Sequence, residues 1–236
     1  GSFSPVFRRE LTAADDCWLR TADQKLEWFN AQQFSCDKPS GTKRIFCLGG
    51  STTYGRPYDD RTSFCGWLRE FLTELDATTQ WDVINAGGIS YGSRRVLGVL
   101  QEIVRYDPDV VIVYCGHNEF LERTTYARLS SLPSPVVWAG SVLRQYSAVC
   151  RAVGSVLAPS RVAESADHKS DNEVRTLLDS SVGLERYHRD PAWQQQVIAD
   201  FQRNVTDMIT VADRADVEIL FVTPAAQLRD CQPFKS

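Results

Sequence analysis

Residues 46–53 read Phe-Cys-Leu-Gly-Gly-Ser-Thr-Thr, an apolar run that ends in two glycines and three hydroxyl-bearing residues. The run starts three residues earlier, and residues 43–48 predict a short buried strand. Gly49 and Gly50 predict a tight turn, because glycine adopts backbone conformations that other residues avoid. This stretch therefore predicts the first strand of a sheet, with the hydroxyl group of Ser51 at its carboxyl end.

Helices and strands are predicted to alternate on the C-terminal side of this strand. Residues 81–84 form the next predicted strand, ended by a turn signal at residues 85–88, and a helix follows over about 93–106. A helix with one buried face is predicted between the first two strands, since apolar residues recur at steps of three and four. Its apolar members are Phe64, Trp67, Leu68, Phe71, Leu72 and Leu75.

Residues 110–114, Val-Val-Ile-Val-Tyr, form the most apolar run and predict a central parallel strand covered on both faces. A long helix over about 191–212, with Pro191 in its first turn, and a strand over 217–222 repeat the pattern. Strands that alternate with helices predict an α/β fold of three layers, α/β/α, around a central parallel sheet.

The domain organisation follows from the segments that break this alternation. Residues 1–38 mix charges, aromatic residues and turn formers, and predict an N-terminal extension packed on a main domain of residues 39–236. An insertion is predicted over about 128–189, where a helical apolar stretch precedes a polar run. The chain begins with Gly-Ser rather than Met, which is typical of a cleaved tag and favours a piece of a longer protein.

Composition and charge exclude several function classes. The chain has 236 residues, of which 43 % are hydrophobic and 24 % charged, values typical of a globular protein. A net charge of -4 disfavours nucleic acid as a partner. No apolar stretch is long enough to span a bilayer. The seven cysteines contain no Cys-x-x-Cys pair, so a zinc ribbon is not expected, and Cys47 and Cys115 are expected to be buried.

Three polar loops each follow a predicted strand directly. They contain Ser51, residues 85–90 and Asn118. In a parallel sheet the carboxyl ends of the strands share one edge, where ligands bind. We therefore expect the three loops to meet there. Gly-Gly-Ser alone is equally compatible with a phosphate-binding turn or a helix cap, although no P-loop lysine follows.

Taken together, the segments FCLGGSTTYG, VINAGGISYGS and VVIVYCGHNEF resemble the SGNH (GDSL-type) hydrolase family, whose blocks supply Ser, Gly, Asn and His in that order. The resemblance covers residues 43–120 and implies a flavodoxin-like fold without a metal or cofactor. It makes Ser51 the catalytic nucleophile, with its backbone N–H as one donor to the oxyanion, and Asn118 a side-chain donor to the same oxyanion. In the second block the family's glycine position falls at Ser90, whose backbone N–H can donate in its place.

The fourth block, an Asp-x-x-His pair after the last strand, has no counterpart in the sequence. The three histidines are His117, His168 and His188, and the last follows Glu185 at a spacing typical of surface pairing on a helix. We expect the natural protein to continue beyond Ser236, with its acid/base pair and a further domain there. The segments are similar in style to bacterial multidomain members of the family that lie outside the cytoplasm.

The activity implied by the resemblance is hydrolysis of small O-acyl esters of carbohydrate or lipid, or transfer of the acyl group to another hydroxyl. Two alternatives remain. One is a catalytically degenerate domain that binds a carbohydrate or protein partner at the same edge. The other is a phosphate-ligand domain in which residues 49–53 form the cradle.

Overall fold

A computed structural model of the chain describes residues 4–12, 16–122 and 190–225. The strands are β1 Phe7–Leu11, β2 Cys17–Thr21, β3 Gln33–Ser35, β4 Thr42–Gly49, β5 Gln80–Gly87, β6 Val110–Tyr114 and β7 Glu218–Phe221. The helices are α1 Ser51–Tyr54, α2 Phe64–Leu75, α3 Ser93–Ile103 and α4 Pro191–Arg214. The predicted insertion lies outside the described residues.

The main sheet is parallel, and its strand order is β5-β4-β6-β7. Numbered along the chain within this sheet, the order is 2-1-3-4, which matches the start of the flavodoxin-like order. Gly49 at the end of β4 is in register with Gly87 and with Tyr114, so three strands end at the same level. The structure confirms the predicted α/β fold with a central parallel sheet.

The side chains of β4 alternate between two cores, one on each face of the sheet. Phe46 and Leu48 belong to a large core shared with α3 and α4. Ile45 and Cys47 belong to a smaller core closed by α2. Because β4 is buried on both faces, its sequence is continuously apolar rather than alternating.

The prediction of a single buried face on α2 is wrong in part. Phe64, Leu68 and Leu72 pack against the sheet, as expected. In contrast, Trp67, Phe71 and Leu75 are 56 %, 59 % and 82 % exposed. The helix carries two adjacent apolar stripes at i, i+4, i+8 spacing, and a flat sheet covers only one of them.

The turn predicted at residues 85–88 is also corrected, because β5 continues to Gly87. Its glycines allow close packing instead of a turn. A Cβ atom on Gly87 would lie 2.5 Å from the backbone nitrogen of Tyr54 and 2.8 Å from the Cβ of Thr53. The missing side chain thus lets the end of β5 lie directly against α1.

The other predicted elements are found with small shifts at their ends. Residues 104–106 form a separate 3-10 turn after α3, and β6 has the predicted bounds. The helix α4 begins at Pro191 with Asp190 as its N-cap. Within the described part of the chain, no helix combines the length and apolar character needed to cross a membrane.

The strands β1, β2 and β3 form a separate antiparallel sheet before the main domain. A disulfide joins Cys17 to Cys36, a pairing that the sequence did not predict. The fully buried Arg44 of β4 connects the two sheets, since its guanidinium donates to the Ser35 carbonyl at 3.0 Å and pairs with Asp82 at 3.0 Å.

Replacing Cys17 and Cys36 together by serine is expected to lower the free energy of unfolding by about 3 kcal/mol, because the disulfide closes a loop of about 20 residues in the unfolded chain. Thermal unfolding of the wild type and the double variant measures the effect. Reductant should lower the Tm of the wild type towards that of the double variant. An equal Tm for both proteins without reductant would contradict the prediction.

Candidate active site

The three polar loops meet at the carboxyl edge of the main sheet, as the sequence predicts. The side-chain amide of Asn118 donates a hydrogen bond to the Tyr91 carbonyl at 3.0 Å. Gly50 packs against this hydrogen bond, since a Cβ atom built there would be 2.7 Å from Asn118 Nδ2 and 3.2 Å from Tyr91 O. The residue that precedes Ser51 therefore contacts both other loops.

Ser51 is the first residue of α1, a single helical turn that follows β4 after Gly50. It is half-buried. Backbone N–H groups in the first turn of a helix have no acceptor within the helix. Ser51 thus presents a hydroxyl group and a backbone donor at the same point of the sheet edge.

Two asparagine side chains donate hydrogen bonds to backbone carbonyls of the turn that carries Ser51. Asn85, buried at the end of β5, donates to the Thr53 carbonyl at 2.9 Å and to Asp60 Oδ1 at 2.7 Å. Asn30 donates to the Tyr54 carbonyl at 2.8 Å. The sequence did not predict either role, although a polar residue near the end of a buried strand, such as Asn85, indicates a hydrogen-bonding role.

Ser90 lies in the loop after β5 with φ of 65°, a left-handed conformation that is rare for residues other than glycine. The residue is buried. The N–H groups of Ile89 and Tyr91 bond to the carbonyls of Trp28 and Gly88, whereas the Ser90 N–H finds no acceptor among the described residues. A backbone donor without a protein acceptor, in a residue that is itself buried at the sheet edge, suits a site that receives a ligand oxygen.

Asn118 follows β6 and is half-buried. Its amide nitrogen carries two hydrogens, and the Tyr91 carbonyl takes one of them. This bond fixes the direction of the amide relative to the loop that contains Ser90. The structure thus brings Ser51, Ser90 and Asn118 to one edge of the sheet.

Two carboxylates that sequence analysis did not assign lie behind Asn118. Glu119 accepts hydrogen bonds from the Ser93 N–H at 2.8 Å and the Ser93 hydroxyl at 2.6 Å. Glu122 accepts from the Gly92 N–H and pairs with Arg95 at 2.9 Å. Burial raises the pKa of the Glu119 carboxyl above its usual value.

The buried cysteines near the site are poor candidates for a nucleophile. Burial raises the pKa of Cys115, directly after β6, to about 12. The pKa of Cys47 is also raised, by its hydrogen bond with Cys65 and by burial. Because the thiolate is the reactive form, both thiols stay protonated and unreactive near neutral pH.

His117 is exposed and lies beside the loop that follows β7. Its ring packs edge to face on Tyr114, with centroids 5.4 Å apart, and its Nε2 is 3.5 Å from the Ala225 carbonyl. The segment after β7 therefore passes the same edge of the sheet. His168, His188 and Glu185 lie outside the described residues.

In the described ranges, no group of three or more His, Cys, Asp or Glu side chains is arranged to hold a metal ion. No protein-family model matches the chain. A search of curated proteins found no significant match either.

Among solved structures, the chain is similar to a two-domain esterase (CEX) active on acetylated mannans, with 22 % identity and a TM-score of 0.31 over 36 % of this chain and 26 % of that one. It is also similar to AlinE4, an SGNH-hydrolase family esterase, with 15 % identity and a TM-score of 0.31 over 77 % of each chain. A third is a variant of Axe2, an acetyl xylan esterase from Geobacillus stearothermophilus, with 12 % identity and a TM-score of 0.35 over 77 % of this chain and 76 % of that one. At these scores the likenesses carry neither an activity nor a substrate to this chain.

Proposed function

We propose that this chain carries the nucleophile and the oxyanion donors of a serine esterase of the SGNH type, with Ser51 as the nucleophile and the acid/base pair supplied by residues outside it. The observation that carries the proposal is the meeting of three groups at one edge of the sheet. The Ser51 hydroxyl follows β4, the Ser90 N–H has no acceptor among the described residues, and the Asn118 amide lies against Gly50. The substrate class we propose is a small O-acyl ester of carbohydrate or lipid, which rests on the sequence resemblance.

The proposed reaction begins when Ser51 Oγ attacks the acyl carbonyl carbon and gives its proton to a general base. The carbonyl oxygen becomes an oxyanion, which the backbone N–H groups of Ser51 and Ser90 and the side-chain amide of Asn118 stabilise. Collapse of this intermediate breaks the ester bond, and the alcohol leaves with the proton. Water then attacks the acyl group on Ser51 and releases the carboxylic acid.

The general base of this reaction is predicted from the sequence resemblance. A histidine oriented by an aspartate would perform this step in the family that the sequence resembles. The segment after β7 passes beside His117 and the edge of the sheet, which supports a base supplied from residues further along the chain. All measurements of activity and labelling described for this protein therefore use a longer chain that continues along the natural gene, with the present chain as the comparison.

A fluorophosphonate probe tests the nucleophile directly, since it forms a covalent bond only with an activated serine. We expect one adduct per chain, mapped to Ser51 by peptide mass spectrometry. The Ser51→Ala variant should give none. Labelling at another serine, with Ser51 unmodified, would refute the assignment.

The two alternatives from the sequence, and acyl transfer in place of hydrolysis, each predict a different experimental outcome. A binding domain would show no labelling of the longer chain and would retain affinity for acylated oligosaccharides. A phosphate-ligand domain would bind nucleotides or phosphosugars in a titration. An acyltransferase would label at Ser51, yet release its acyl group faster to an added sugar hydroxyl than to water.

We also propose an extracytoplasmic location. The disulfide between Cys17 and Cys36 supports it, because such bonds persist mainly in oxidising compartments. Expression with and without export to the periplasm tests this. The exported protein should contain the oxidised pair, and a reduced pair in the exported protein would argue against the proposal.

A further inference from the structure

The segment that carries Asn118 is hydrogen-bonded to the segment that carries Ser90 through two glutamate side chains. Glu122 uses both carboxylate oxygens, one on the Gly92 N–H and the other on the Arg95 guanidinium. Glu119 uses both of its oxygens on Ser93. We call these two carboxylates and the groups they hold at Gly92, Ser93 and Arg95 the carboxylate clamp.

The clamp is connected to the conformation of Ser90. Arg95, held by Glu122, donates a hydrogen bond to the Ser90 carbonyl and lies over the Tyr91 ring, with its guanidinium carbon 4.3 Å from the ring centre. A left-handed conformation at a serine costs about 1 kcal/mol or more and persists only where its surroundings impose it. Arg95 acts on the carbonyl of the peptide that follows Ser90, and so restrains that conformation.

The clamp is also hydrogen-bonded to the helix α4. Asn204 of α4 donates to the Ser93 hydroxyl at 2.8 Å, and that hydroxyl donates to Glu119. The ion pair of the clamp is well shielded, since the side chains of Arg95 and Glu122 are 15 % and 13 % exposed. A shielded, fully paired network has a single favourable geometry, whereas exposed pairs contribute little.

We propose that Glu119 and Glu122 are positioning residues that fix two oxyanion donors, the Ser90 N–H and the Asn118 amide, relative to each other. Both follow Asn118 closely in the chain, and both hold residues that closely follow Ser90. The distance between the Asn118 amide and the Ser90 N–H is then set by the clamp rather than by the Asn118–Tyr91 bond alone. This inference rests on the proposed esterase function.

The principal test is Glu122→Gln, which removes the charge that holds Arg95 while keeping the size of the side chain. We expect kcat for a small chromogenic acetyl ester to fall about 10- to 100-fold, with KM changed less than threefold. The rate of fluorophosphonate labelling of Ser51 should fall by a similar factor. Loss of an oxyanion donor's alignment acts on the transition state, and so affects kcat rather than KM.

Gly92→Ala disturbs the clamp from the other side, because a Cβ atom there would overlap the Glu122 carboxylate. It should reproduce the loss in kcat. The matched control is Asp82→Asn, which breaks the shielded Arg44–Asp82 pair near the opposite ends of the strands. The control should keep kcat within about twofold even if its Tm falls as far as that of Glu122→Gln.

Amide NMR signals of Ser90, Gly92 and Ser93 separate failure of this inference from failure of the proposed function. Shifted signals in Glu122→Gln together with the loss in kcat support the inference. Unchanged kcat in both Glu122→Gln and Gly92→Ala would overturn it, even in an active wild-type enzyme. A wild type that neither turns over esters nor labels at Ser51 would instead refute the proposed function, and the catalytic role of the clamp with it.

Discussion

Replacing Ser51 by alanine is expected to lower kcat for ester hydrolysis by about 10³-fold or more, since removal of a nucleophile leaves only the contribution of binding and the oxyanion donors. The Tm should change little. Ser51 is half-buried in the first position of a four-residue helical turn, where alanine is readily accommodated. Initial rates on a chromogenic acetyl ester, with Tm from thermal unfolding, measure both effects.

Thr52→Ala is the matched control for this prediction. It removes a hydroxyl from the same turn, but Thr52 is exposed to solvent. Its kcat should stay within about twofold of the wild type. Equal losses in both variants would indicate damage to the turn, and a fully active Ser51→Ala would place the nucleophile elsewhere.

Replacing Gly50 by alanine is expected to lower kcat by about 10²- to 10³-fold, the usual effect of losing one oxyanion donor. The added Cβ atom would lie 2.7 Å from Asn118 Nδ2, so the amide must move away from the site. The most crowded group is the end of a side chain, whereas the Tyr91 carbonyl, at 3.2 Å from the added Cβ, needs to shift only slightly. With the Asn118–Tyr91 hydrogen bond lost, the free energy of unfolding should fall by about 1 kcal/mol.

A double-mutant cycle with Asn118→Ala identifies the cause of this loss. If Gly50→Ala acts by displacing Asn118, the double variant should be no slower than the slower single variant. Losses that multiply would contradict the mechanism.

Gly49→Ala is the matched steric control. A Cβ atom on Gly49 would overlap the backbone carbonyl of Tyr114 and the hydroxyl of Thr53. Because strand backbone cannot move aside cheaply, we expect a loss of about 3 kcal/mol in stability, at the upper end of typical overpacking costs. The two neighbouring glycines should thus separate a folding defect from a catalytic one.

The sequence predicted most of the sheet because its strands are buried on both faces and read as continuous apolar runs. Residues 110–114 were assigned with their exact bounds for this reason. The sequence pattern is less informative about strand ends, where glycine can either form a turn or allow close packing. Gly87 and Gly88 predict a turn, yet in the structure Gly87 is the last residue of β5 and allows this strand to contact α1. The outer apolar stripe of α2 was assigned to the core because periodicity does not show how wide a face the sheet covers.

For the candidate site, the order of strands and loops along the chain is enough to place Ser51, Ser90 and Asn118 at one edge. Parallel strands impose this, since their carboxyl ends lie together whatever the details of the loops. The contacts that hold the loops there are visible in the three-dimensional structure alone. Three features of the site depend on contacts between segments that are distant in the chain: the packing of Gly50 against Asn118, the left-handed conformation of Ser90 and the carboxylate clamp. Local sequence patterns do not predict such contacts.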